Sequence, residues 1–245
     1  MKLIFTLIIY LLFFNNVLAD TADVRRNFKV EAKLSLLPKI PIMNIDTILN
    51  ITNNQYKYEF SIRTTNIVEF INKVNGDGVI RGFIDKTYQP THYIYKYKRN
   101  DKEKSVEIKY MDSKIEEINL IPVPDKSKLT KVHDYMLVNT IDPSSFFLNI
   151  LDYNNIQDCN TVFKIFDGKR RYDILFNSVN KVVLNDYIYC EAKQNKLGGY
   201  KIKEKDDVFA ESDYIKIIYK NNNKKDFYGY EAINGPLKLF ISEVK

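Results

Sequence analysis

The chain has 245 residues, with 37 lysines and arginines against 31 acids, two histidines and two cysteines. That length can bury a sizeable core without a dense disulfide scaffold, and a zinc site, which needs about four ligands, would have only His92 and His133 to join the two cysteines. The formal net charge of +6 is dispersed among interleaved acids, which is the pattern of a solvated surface and not of a nucleic-acid groove.

The chain opens on a segment read as a targeting signal. Lys2 supplies a positive start, Leu3 to Phe14 is an uncharged apolar run, and Val17-Leu18-Ala19 offers the small or apolar residues that a signal peptidase reads. The expectation is a signal peptide over residues 1–19 and an exported chain from Asp20 onwards. The apolar run is shorter than the roughly 20 residues of a membrane-spanning helix. No later stretch is apolar enough to span as a helix, so no transmembrane span is expected after cleavage.

From Phe28 the dominant period is two. Phe28, Val30, Ala32, Leu34 and Leu36 share one face, as do Met43, Ile45, Thr47, Leu49 and Ile51. Tyr56, Tyr58, Phe60 and Ile62 follow, then Tyr93, Tyr95 and Tyr97, then Val106, Ile108 and Tyr110. Each run predicts a strand with one buried and one wet face. Asn53-Asn54, Asn100-Asp101 and Asp112-Ser113 stand where turns belong. Such short, regularly spaced strands describe an antiparallel meander.

Two helices are expected. Ile67, Phe70, Ile71 and Val74 have helical spacing and end in the Asn75-Gly76 stop. Asp142 is a good N-cap before Pro143 at the first helical position, and Phe146, Phe147, Ile150 and Leu151 then form an apolar stripe. That stripe reads as a helix closing the core of the sheet, or more sharply as a lid over an apolar cavity. Pro122, Pro124 and a charged loop mark a weak division near residues 122–141.

Strands resume at Val162–Phe166 and Arg170–Phe176 around Asp167-Gly168, a pair that predicts a type I′ hairpin turn. Val182–Ala192, Tyr214–Tyr219, Phe227–Ile233 and Leu237–Val244 complete the strands, with a polar turn at 221–225. Lys169, Arg170 and Arg171 follow the Asp-Gly turn. They could contact an anion through arginine's bidentate fork, or form a charged hairpin tip partnered by Asp167 and Asp173.

Catalytic signatures are missing. There is no Gly-x-Ser-x-Gly elbow, no His-Glu-x-x-His helix and no glycine-rich phosphate loop. His92 and His133 are isolated, and Glu116-Glu117 and Asp206-Asp207 are adjacent pairs whose side chains diverge on a strand. No catalytic residue, metal site or cofactor is expected, and the chain does not read as an enzyme. Tyrosine is abundant, 18 in all. The row Tyr93, Tyr95, Tyr97 could stack sugars, but β propensity alone accounts for it. Cys159 and Cys190 are most simply a disulfide in an oxidising compartment, with a redox pair or metal ligation as alternatives.

The block "DPSSFFLNIL", Cys159, "VFKIFDGKRRYDILF", "YC" at 189–190 and "GGYK" at 198–201 resembles DUF3108, a family of exported bacterial proteins of unknown function. "YKYEFSIRTTNIVEFI", "GVIRGFI" and "YQPTHYIYKYK" resemble its N-terminal half, so the likeness covers most of the mature chain. The resemblance implies a periplasmic protein and supports the Cys159–Cys190 disulfide. It carries no catalytic residue.

The reading is therefore one mainly β domain over residues 20–245: a strongly curved antiparallel sheet, as a half-barrel or open barrel, with two short helices. Sequential strands with one apolar face must curl around that face or stack sheet on sheet. The expected function is non-catalytic binding of an apolar or amphipathic envelope ligand such as a lipid. The alternative is an interaction or scaffold role toward an envelope protein, through a sheet edge or the Lys169–Arg171 hairpin.

Overall fold

The computed structural model describes residues 22–34, 38–65, 73–202, 214–234 and 236–244. The expected signal peptide, residues 66–72 of the first expected helix and the Asp206-Asp207 pair lie outside them.

Among the described residues, thirteen strands form one antiparallel sheet. They are β1 (Ala22–Leu34), β2 (Ile40–Thr52), β3 (Gln55–Thr64), β4 (Val74–Ile84), β5 (Tyr88–Arg99), β6 (Lys102–Met111), β7 (Lys114–Ile121), β8 (Val162–Phe166), β9 (Arg171–Leu184), β10 (Tyr187–Gly198), β11 (Tyr214–Lys220), β12 (Phe227–Asn234) and β13 (Leu237–Glu243). Their spatial order is β7-β6-β5-β4-β3-β2-β1-β13-β12-β11-β10-β9-β8. Two meanders meet at a single joint, where β1 pairs with β13 and sets Phe28 opposite Glu243 and Val30 opposite Ile241. β7 and β8 are left as the free edges.

The alternation read from the sequence sets the inner face. Phe28, Val30, Tyr56, Tyr58, Phe60, Tyr93, Ile108 and Tyr110 are all buried. The sheet is curved but not closed. The β8–β9 loop reaches the opposite end of the sheet, where a Cβ added at Gly168 would lie 2.8 Å from Val106 Cγ1 and 2.9 Å from Leu120 Cδ2. No ladder joins β7 to β8. Instead the segment before the helix spans the seam. The Asn139 N–H donates to Ser113 O at 2.7 Å, the Ile141 N–H to Lys164 O at 2.9 Å, and the Phe166 N–H to Ile141 O at 3.0 Å.

One α-helix, α1 (Pro143–Ile150), enters the concave face. Asp142 Oδ1 accepts from the Ser144 and Ser145 N–H groups at 2.9 Å, which satisfies two of the amides that the first turn leaves unpaired. Phe146 and Ile150 pack with Phe163, Ile165, Ile174 and Ile217 on one side, and Leu148 packs with Tyr58, Phe60, Ile80 and Tyr93 on the other. The helix thus divides the interior into two apolar clusters. Its end is fixed to the sheet, with the Tyr219 hydroxyl donating to Ile150 O at 2.6 Å and Asn149 exchanging bonds with the Tyr88 backbone.

Three expectations need correction. The first expected helix fails at its C-terminal end, because Val74, Asn75 and Gly76 belong to β4 and α1 is the only α-helix among the described residues. The glycine that reads as a stop admits a neighbouring side chain instead: a Cβ at Gly76 would lie 2.6 Å from Tyr97 Cβ and 2.8 Å from Tyr95 Cε2, and one at Gly78 in the same strand 2.1 Å from Phe60 Cζ. Val182–Ala192 is two strands, turned at Asn185-Asp186, with Asn185 at φ 52°. The Asp167-Gly168 turn is a four-residue loop and not type I′. Only Gly168 has positive φ (92°), and Asp167 Oδ1 instead accepts the Lys169 and Arg170 N–H groups.

Candidate functional site: a cavity beside the β1–β13 joint

The cavity of interest lies where β1 begins and β13 ends, and has a volume of about 1160 Å³. This volume includes a depression on the outer face of the sheet, where Lys29, Glu31 and Phe240 contribute, so the interior share is smaller. The interior wall follows from strand parity. With Phe28 and Val30 turned inward, Val24 and Arg26 share their face, and Thr47, Leu49 and Ile51 of β2 sit opposite. Tyr58, Tyr88, Leu148, Leu151, Phe227 and Ile241 complete an apolar and aromatic surface.

Polar groups stand among them. Arg26 Nε lies 3.9 Å from Glu243 Oε1, and each side chain is about a third exposed. That is a charge contact, longer than a hydrogen bond. The Thr47 hydroxyl is turned to the backbone, donating to Arg26 O at 2.9 Å. Burial raises the hydroxyl pKa of Tyr58, while Arg26 pulls it down. Burial also raises that of Tyr88, with the Asp152 charge adding to the shift. Both phenols therefore stay protonated at neutral pH and are available as donors. At the mouth, Lys224 and Lys225 come from the β11–β12 turn, with Lys225 Nζ 4.2 Å from the centre of the Tyr153 ring. The same cavity is also lined by Asp152, Asp226 and Glu231 and by Lys220, so apolar and polar surface are nearly balanced in it. A concave wall that sets placed polar groups among apolar ones is a form that small-molecule sites take.

The residues singled out in the sequence lie elsewhere. Arg171 is 3% exposed. It donates through Nε to Met136 O at 2.7 Å and through Nη1 to Asp173 Oδ1 at 2.6 Å, so it ties the 3-10 turn Asp134–Leu137 to β9. Arg170 donates to Asp167 Oδ2 at 2.7 Å. Both arginines are thus engaged by the two aspartates that flank the turn. Cys159 and Cys190 form a disulfide and are fully buried. Tyr93, Tyr95 and Tyr97 share a face as expected. Tyr93 is core, Tyr95 stacks on Tyr97 at 4.8 Å, and none of the three lines the cavity. His92 pairs with Glu107 at 2.8 Å, and His133 stacks on Tyr135. Among the described residues no cluster of histidine, cysteine and acids is fit to hold a metal, and no helix is long and apolar enough to cross a membrane.

Arg26 was missed because "ADVRRNF" offers two adjacent arginines at a strand start, and nothing local says which one faces inward. Parity from Phe28 would have found it.

A second polar group, deeper in the core, surrounds the start of α1. Ser145 Oγ donates to Asp142 Oδ2, and the Tyr56 hydroxyl lies 3.4 Å from Ser145 Oγ. Asp142 is wholly buried, and that burial raises its carboxyl to about 6. The Tyr110 hydroxyl is buried without a partner. None of these side chains lines the cavity, so they serve to hold the helix.

Comparison with known proteins places this geometry. The family described as "Protein of unknown function (DUF3108)" matches residues 29–224. A solved structure, "Crystal Structure of Beta-barrel-like Protein of Domain of Unknown Function DUF1849 from Brucella abortus", superposes with a TM-score of 0.50 at 10% identity, over 93% of this chain and 97% of that one. At that identity the likeness shows the fold alone. No curated protein sequence matches the chain.

Proposed function

The chain belongs to the DUF3108 family, and from that premise we propose that it is a non-catalytic binding protein for an apolar or amphipathic envelope ligand, held in the cavity beside the β1–β13 joint. The observation that carries this reading is the cavity itself, walled by Leu49, Ile51, Leu148, Leu151 and Phe227 with polar groups placed among them. Small-molecule sites occupy roughly 300–1,000 Å³, and the cavity with its outer depression measures about 1160 Å³. Export to the periplasm, as one β-rich domain, belongs to the same reading. It is supported by the apolar segment at Leu3–Phe14 and by a disulfide, which an oxidising compartment preserves.

Native mass spectrometry of protein purified gently from its own compartment tests it. The expected result is an adduct of lipid size. A bare protein mass that persists after incubation with envelope lipids would overturn the reading.

A scaffold role toward an envelope protein has one observation in its favour. β9 runs on past β8, and there Val179, Val182, Val183 and Leu184 are all at least half exposed on a strand with a free edge. Substituting Val182 and Val183 by Lys would abolish such a contact and leave cavity binding intact.

A further inference from the structure

We propose that the cavity selects a single-chain amphiphile with an anionic head, a carboxylate or a phosphate, and that Arg26 reads that head. This deepens the binding function above and rests on it.

Three observations carry the inference. Arg26 is the guanidinium on the inner face of β1, opposite Thr47 and diagonal to Leu49, in a cavity that Ile51 and Leu148 also line. An arginine partly withdrawn from water beside an apolar wall is matched by a ligand that carries both an acyl chain and an anion. Next, its present partner is a substitute of the same chemistry. Glu243 approaches Nε only to 3.9 Å, so the fork-shaped donor set is not engaged in the bidentate geometry that a carboxylate or phosphate can adopt. An incoming anion that donates no hydrogen bond but accepts two exchanges directly with Glu243. Finally, the β11–β12 turn brings two lysines, Lys224 and Lys225, to the cavity, with Asp226 of the same turn and Asp152 among them. The Tyr58 and Tyr88 hydroxyls on the inner wall stay protonated at neutral pH. Lysines at a mouth raise the local concentration of an anion and its rate of entry. A neutral head would leave the arginine facing apolar wall with no gain.

The test is calorimetric titration of the full mature protein with laurate, dodecyl phosphate, monolaurin and inorganic phosphate at one ionic strength. Laurate and dodecyl phosphate are expected to bind at least about tenfold more tightly than monolaurin, the scale of a charge-assisted hydrogen bond. Inorganic phosphate alone is expected to bind weakly, since it brings no chain. Arg26→Gln should erase the preference and leave monolaurin unchanged. Glu243→Gln removes the competing carboxylate and should tighten the two anions several-fold, the opposite sign, so a folding defect cannot imitate the pair of results. Equal affinity for all three dodecyl compounds would overturn the headgroup assignment and leave the cavity as a binding site. Binding of none of them would overturn both. Inorganic phosphate binding as tightly as dodecyl phosphate would make this an ion site and sink the amphiphile. A preference that survives in folded Arg26→Gln would remove Arg26 from the site.

Discussion

At the scale of single residues the fold depends on polar groups that the hydrophobic pattern does not reveal. Asp142 caps α1 from inside the core, and burial raises its carboxyl to about 6 against the bonds from Ser145 and Ser144. In the unfolded chain an aspartate titrates near about 3.9. Between those values the folded chain holds a proton that the unfolded chain has released. The stability from this group is therefore fully present below about pH 4 and is lost as the pH rises to about 6. Asp142→Asn keeps a capping acceptor and abolishes the titration. In urea denaturation from pH 4 to 7, the wild type should lose stability relative to the variant up to about pH 6 and then run parallel to it. Parallel curves throughout would refute the assignment.

At the scale of elements, alternation and capping were legible and local reversals were not. Phe28, Val30, Tyr56, Tyr58 and Ile108 turn inward as their spacing requires. The Asp142-Pro143 start of α1 was legible for the same kind of reason, since a cap acts within four residues. What escaped was set by distant partners. Gly76 looks like a helix stop until the ring of Tyr95 is laid over it. Arg171 pairs with Asp173, a partner that the hairpin reading named, but its burial follows from Met136, which is brought to it from far along the chain. The site was the least legible, because Arg26 and Glu243 meet across a joint between strands more than two hundred residues apart in sequence. The disulfide carries a further consequence for its element. Gln157, Asp158 and Cys159 are consecutive residues in the left-handed region, at φ 47°, 58° and 63°, a conformation that non-glycine residues avoid. They are fixed by Cys190, by Tyr153 and by Lys181, whose Nζ lies 2.6 Å from Asp158 Oδ1. Replacing both cysteines by serine should lower stability by about 3–4 kcal/mol from loop entropy alone, a separation of 31 residues being freed. Hydrogen exchange should rise first at residues 157–160. Uniform exchange with unchanged stability would count against this account.

At the scale of the whole molecule, the two halves of the chain meet at the β1–β13 ladder and at the sheet's ends by Gly168, with α1 packed between them. The second is sensitive to volume. Gly168→Ala places a methyl within 3 Å of Val106 and Leu120, at a φ of 92° that a side chain disfavours. A loss of about 1–3 kcal/mol is expected, read as a lowered midpoint in thermal unfolding. An unchanged midpoint would mean that the ends of the sheet do not bear on each other.

That seam also decides how the interior can change size. A closed barrel widens only by breaking a ladder, whereas here no strand-to-strand hydrogen bond joins β7 to β8. The seam is crossed instead by the few backbone bonds of Asn139, Ile141 and Phe166. The width of the interior is therefore set at the seam by a short strap of chain, where a closed barrel would set it by a full row of paired strands.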